Sequence, residues 1–163
     1  HAACIFASFG EEKAKDFFVK LKENKIHIES GNKGCAEKVG AGEIAMALTD
    51  TDDAIIEWRE GKPVEIIYLD SEKDDIGTLF IPNTLALISN SPDNENGKKL
   101  IDFLLSPEVE EMLSLGESAQ IPLNTKVKTK AKVKTPSEVR AMEPDFEKAA
   151  KIWDKVKEIM LAF

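Results

Sequence analysis

Histidine, cysteine and tyrosine are scarce in this chain, and each scarcity removes a class of chemistry. There are two histidines, two cysteines and one tyrosine. His1 is terminal, and His27 falls on the polar side of an apolar–polar alternation. No serine or cysteine stands in a G-x-S-x-G elbow or beside a usable histidine. Neither Cys4 nor Cys35 has a C-x-x-C partner, so zinc and thiol redox chemistry lack their ligand spacing. Both read as small, buried or half-buried side chains, and two cysteines permit at most one bridge. With no nucleophile and base in place and no resident cofactor implied, the chain reads as a binder and not as an enzyme.

Long apolar runs are missing too. The longest, around 79–88, is broken by Pro82, Asn83 and Thr84, well short of the roughly 20 residues of a membrane span. The opening His1-Ala2-Ala3-Cys4 has no basic region leading into an apolar core, so no signal peptide is expected there. A leader lost on maturation leaves an extracytoplasmic address open. Positive charge is in deficit: 22 Lys and Arg face 30 Asp and Glu, for a net charge of −8. That balance disfavours nucleic acid, whose phosphates are bound by Lys and Arg. The one basic run, Lys126 to Lys134 (KVKTKAKVK), reads as a solvated connection rather than a nucleic-acid or lipid patch.

What is present is an ordinary globular composition, 42% hydrophobic and 32% charged, enough for one domain or two small lobes. Ala2–Phe9 reads as the remainder of a helix ended by Gly10. Glu11–Asn24 repeats Ala14, Phe17, Phe18 and Leu21 at helical spacing, with acids first and lysines later. Further helices are expected over Lys33–Gly40, Ala54–Glu60, Asn94–Leu105, Glu108–Leu115 and Pro144–Phe163. Ser106 is the natural cap of the helix over Glu108–Leu115, and Pro107 fits its first position. Strands are expected at Ile26–Glu29, Ile44–Leu48, Val64–Leu69, and Thr78–Ile81 with Thr84–Ile88. Strands alternating with helices indicate an α/β fold with parallel pairing.

The strongest local feature is Leu48-Thr49-Asp50-Thr51-Asp52-Asp53-Ala54, between an expected strand and a helix. Ligands collect at such carboxyl ends in open α/β sheets. Three carboxylates and two hydroxyls there suit a hard cation or a polar solute. The plainer alternative is that Thr51 or Asp52 caps the helix and the other acids are solvated. An EF-hand is excluded by its spacing. Ser30-Gly31-Asn32-Lys33-Gly34 is a second turn, whose helix start would offer free N–H groups to a polar ligand.

Several phrases occur together in order: Ser30-Gly31-Asn32, Gly42-Glu43-Ile44-Ala45 running into the aspartate segment, Gly61-Lys62-Pro63-Val64, Ile81-Pro82-Asn83-Thr84, Phe103-Leu104-Leu105-Ser106-Pro107-Glu108, and Gln120-Ile121-Pro122-Leu123. This series resembles the extracytoplasmic solute-binding proteins of ABC importers, in particular the iron(III)-binding-protein-like family. The resemblance implies a type II periplasmic-binding-protein-like α/β fold of two lobes around a solute cleft. Residues 1–81 and 137–163 would then belong to the C-terminal lobe, and 82–136 to the returning part of the N-terminal lobe. Most of the N-terminal lobe would be missing, its place open to that lobe or to a second copy of the chain. Pro82, Asn83 and Thr84 would be the hinge crossing.

The same resemblance implies a membrane permease of the importer as partner and a solute held by Asn32, Thr49, Asp50, Thr51, Asp52 and Asp53. Asp52 and Asp53 stand where ferric-binding relatives carry two adjacent tyrosines, and Tyr68 lies on a different expected strand. Iron(III) as transported ligand would therefore need Asp52 and Asp53 as metal ligands in place of tyrosinates. Asn32 and Asp50 match positions that hold an accompanying anion in relatives. Acidic replacements favour a cationic or hydroxyl-rich guest instead. Alternatives of other classes are a ligand-sensing domain of a regulator or receptor, a binder of a phosphorylated or polyol solute, and a metal-dependent hydrolase built on the aspartates.

Overall fold

The structure, a computed structural model, describes residues 1–162 and divides them into two compact units, each assembled from separate stretches of chain. The first comprises residues 1–28, 70–80 and 140–162; the second comprises 29–69 and 81–139.

In the first unit, α1 (Ala2–Phe9) is apolar almost all round and becomes the central element. Helix α2 (Glu11–Glu23) follows after Gly10, whose φ of 81° is a left-handed conformation that glycine adopts without a side-chain clash. Ala3, Cys4, Phe6 and Ala7 of α1 pack with Ala14 of α2, with Ala149 of α7 (Phe146–Lys151), and with Val156 of α8 (Trp153–Leu161). Phe6 and Phe18 stack at 5.9 Å between ring centroids. Lys148 donates to the carbonyl of Ala7 at 2.5 Å, and Glu11 pairs with both Lys15 and Lys155.

The expected last helix is two, because the chain breaks at Ile152 (φ −98°, ψ 2°). Phe146 and Trp153, expected on its inner side, are exposed; Phe163 lies outside the described residues. Gly77 brings the middle segment against the backbone before α7. A Cβ there would lie 2.4 Å from the amide nitrogen of Met142, and its φ is +99°. That approach permits the parallel bridge of Thr78 to Ala141, in which the Thr78 amide donates to the Arg140 carbonyl and the Met142 amide to the Thr78 carbonyl, both at 2.9 Å.

The second unit holds α3 (Asn32–Gly40), α4 (Thr51–Arg59), α5 (Asn94–Leu104) and α6 (Pro107–Leu115). Its core is small: Ile55, Ala119 and Val133, joined by Ile66 and Ile121. Arg59 fastens α4 to the chain after α6 by donating to the carbonyls of Gly116 and Glu117 at 3.1–3.2 Å. Ser106 caps α6 by accepting from the Val109 amide, with Pro107 in the first turn.

The expected strands do not form. Among the described residues no ladder is present, and the Thr78–Ala141 bridge is isolated. Segments 26–29, 44–48, 64–69 and 84–88 are irregular or extended, and the sheet of an α/β architecture is not seen. A strand is completed only when another supplies its N–H and C=O partners. Here none does, so Met46, expected in a buried strand, stays 80% exposed, and Ile88 is 78% exposed. Helix α4 also starts at Thr51, three residues before the apolar pattern does. No helix among the described residues is long and apolar enough to cross a membrane.

Candidate functional site

Two helix starts meet in the second unit. Helix α3 begins at Asn32 after the extended Gly31, and α4 begins at Thr51 after Asp50, whose backbone is also extended. Asp50 holds the cap position of α4, yet its side chain makes no capping hydrogen bond to that helix's backbone. It accepts instead from the amide of Asn32, Nδ2 to Oδ2 at 2.5 Å. The Thr49 hydroxyl donates to the Asn32 carbonyl at 3.0 Å. The run that precedes α4 is thereby tied to the first residue of α3.

Asp50, Asp52 and Asp53 each present a carboxylate oxygen within 4.8 Å of the others'. Acids in the first turn of α4 are favoured by the positive end of the helix dipole, but three together repel one another. Asp53 carries that burden. Its pKa is raised, first by burial, then by its hydrogen bond with Asp50 and by the charges of Asp52 and Asp50, with Lys33 opposing. The geometry is an oxygen-rich, negative patch with one carboxyl that resists ionisation. Such a patch suits an ammonium group or a metal ion, either of which restores the missing positive charge.

The structure thus brings together Asn32, Thr49, Asp50, Asp52 and Asp53, with Thr51 in the same turn. Pro82, Asn83 and Thr84 lie elsewhere, in exposed chain without regular secondary structure just past residue 80, where one unit gives way to the other along the chain. Tyr68 is also apart, its hydroxyl accepting from the Lys134 amide at 2.9 Å. One neighbour went unnoticed in the sequence. Glu57 lies one helical turn beyond Asp53 on the same face of α4, is 7% exposed, and packs on Gly40 of α3. The spacing of four residues was the available signal.

Residues 7–141 match the family model of bacterial extracellular solute-binding proteins. Among relatives, a Salmonella typhi protein named "Putative 2-aminoethylphosphonate-binding periplasmic protein" is 32% identical over 110 residues, covering 67% of this chain and 33% of its own. The spermidine/putrescine-binding periplasmic protein of Salmonella typhimurium is 30% identical over 98 residues, 60% of this chain and 26% of its own. An uncharacterized protein of Haemophilus influenzae is 26% identical over 141 residues, 86% of this chain and 39% of its own. The chain therefore spans about a third of the length of the curated relatives it matches. No solved structure gives a significant match. With more than half of its length matched, the chain belongs to the bacterial extracellular solute-binding protein family.

Proposed function

We propose that this protein is part of the solute-binding component of an ABC importer, acting outside the cytoplasm, and that its solute carries a protonated amine. The observation that carries the reading is the Asp50–Asp52–Asp53 cluster, held by Asn32 and left uncapped by its own helix. The relatives lend it chemistry. 2-Aminoethylphosphonate, spermidine and putrescine differ in their other groups but share an aliphatic primary amine, which is cationic at neutral pH. Three clustered carboxylates favour such a group and disfavour a bare anion. The start of α3, with Lys33 beside it, is the natural side for any anionic end of the solute. Binding without turnover and delivery to a membrane permease would be the whole of the activity.

The finer architecture belongs to the same proposal. In a protein of the relatives' length, 1–81 and 137–163 would contribute to one lobe and 82–136 to the other, with Pro82, Asn83 and Thr84 as hinge. The exposed extended segments would find their ladder partners in polypeptide beyond this chain, completing a two-lobed α/β fold. The apolar side chains of Leu85, Ile88, Leu100 and Phe103, exposed here, support that reading.

Iron(III) is the second reading, favoured by the same three oxygens lying within 4.8 Å. Calorimetric titration of the full-length protein separates the two. Saturable binding of putrescine or 2-aminoethylphosphonate, with none of ferric citrate, is the expected result. Binding of ferric citrate alone would replace the amine with the metal, and heat of turnover in place of saturation would remove the transport role.

A further inference from the structure

Lys15, Lys20, Lys33, Lys38, Lys98, Lys151 and Lys155 all sit within ion-pair distance of an acid. Lys126, Lys128, Lys130, Lys132 and Lys134 fall within nine residues, and among the described residues none of the five forms a salt bridge.

Their placement is regular. Every lysine of the run is exposed, and every residue between them, Val127, Thr129, Ala131 and Val133, is withdrawn from solvent. Val133 is part of the core of the second unit. The Thr129 hydroxyl donates to Glu111 at 2.5 Å, and the Lys134 amide donates to the Tyr68 hydroxyl. One side of the segment is therefore anchored and the other carries ammonium groups. Where the chain is extended, alternate residues stand about 7 Å apart. Lys128 and Lys132 donate to the carbonyls of Thr125 and Leu115, and Lys134 lies over the Tyr68 ring at 5.4 Å, so their stems are ordered without being neutralised. Glu138 is the nearby acid, its carboxyl held below the ordinary range chiefly by hydrogen bonds from Thr135 and then by Lys130 and Lys134.

We infer that this row, which composition alone reads as a solvated connection, is an electrostatic docking strip for the surface of an anionic phospholipid bilayer. Four to eight clustered lysines are the number that binds acidic headgroups measurably. A lipid surface needs only that the charges be exposed together, whereas an acidic protein face needs matched positions. The apolar residues of the run point inward, so the contact is purely electrostatic, reversible and weakened by salt. The whole chain carries a net charge of −8, so attraction confined to this strip would fix which face meets the bilayer. The inference is independent of which solute is bound.

The test is co-sedimentation of the full-length protein with vesicles of equal parts phosphatidylglycerol and phosphatidylcholine, against pure phosphatidylcholine, at low and high salt. Binding is expected only to the acidic vesicles, and should be lost at high salt. Lys126→Gln with Lys130→Gln removes two ammonium groups that donate no hydrogen bond within the chain, so folding should survive. This pair should weaken binding on the order of thirtyfold. The charge-matched Lys20→Gln with Lys151→Gln, taken from paired lysines of the first unit, should leave it unchanged. Equal loss in both pairs, or no binding of the unaltered protein to acidic vesicles at low salt, overturns the inference. Binding to polyglutamate but not to acidic vesicles also overturns it, in favour of an acidic protein partner.

Discussion

The two units of this chain bury their apolar residues very differently. The first encloses a helix that is apolar almost all round, with Phe6, Cys4 and two alanines covered by α2, α7 and α8. The second gathers only Ile55, Ala119 and Val133 into a buried cluster, with Ala36 and Val109 buried outside it, and leaves Leu85, Ile88, Leu100 and Phe103 in water. The first unit closes its core with residues from its own segments. The second is a scaffold that presents a site and still displays surface of the kind that proteins cover.

The sharpest way to break this comparison is a pair of phenylalanines. Phe6→Ala removes a buried ring and should lower the stability of the first unit by about 3–5 kcal/mol. Phe103→Ala, at a side chain 61% exposed, should stay within about 0.5 kcal/mol in this chain. In a protein of the relatives' length, Phe103→Ala should cost more if that face is covered there. Thermal unfolding followed separately at Trp153 and Trp58, which lie in the first and second units, reads both. Equal costs at the two positions in this chain would contradict the contrast.

Next in size is Gly77→Ala, which places a methyl 2.4 Å from the Met142 nitrogen at a positive φ. It should cost about 2–3 kcal/mol, read at Trp153, with little change at Trp58. In the second unit, Ser106→Ala removes the cap of α6 and should cost about 1 kcal/mol, visible in the melting of that unit.

The pH response has opposite signs in the two units. Glu11 is lowered from 4.5 to about 2, first by its hydrogen bond from Lys15 and then by that from Lys155. Its contribution is fully present above about 4.5 and is lost as pH falls toward about 2. Asp53 is raised, by burial first and then by its acidic neighbours. Its ionisation therefore opposes folding above the raised value, and the opposition is gone below the ordinary 3.8. Glu11→Gln should flatten the acid limb at Trp153, whereas Asp53→Asn should raise the neutral-pH stability read at Trp58. The smallest effect is expected at Ser114, whose hydroxyl is fully buried without a partner. Ser114→Ala should be neutral or slightly stabilising, since nothing is left unsatisfied by the change.

The helices were legible in the sequence because their signals are local. Gly10 ends α1, Ser106 and Pro107 open α6, and the acids then lysines of α2 follow its dipole. The strands were not recovered because a strand is a relation between two segments. Ile44–Leu48 has the residues of a buried strand, but Met46 meets no sheet in this chain. The break at Ile152 was hidden because the apolar spacing continues across it. At the site, the residue types of the aspartate run pointed to a polar ligand. The bond of Asn32 to Asp50, which frees Asp50 from capping, became visible only when α3 and α4 were placed side by side.

The central claim is that these aspartates face the cationic end of the solute, and titration of the full-length protein with putrescine before and after Asp50→Asn with Asp52→Asn tests it most directly. Affinity should fall about tenfold to a thousandfold with the fold intact, as expected on losing hydrogen bonds to a charged group. Unchanged affinity in a folded double variant would place the solute elsewhere and contradict the account.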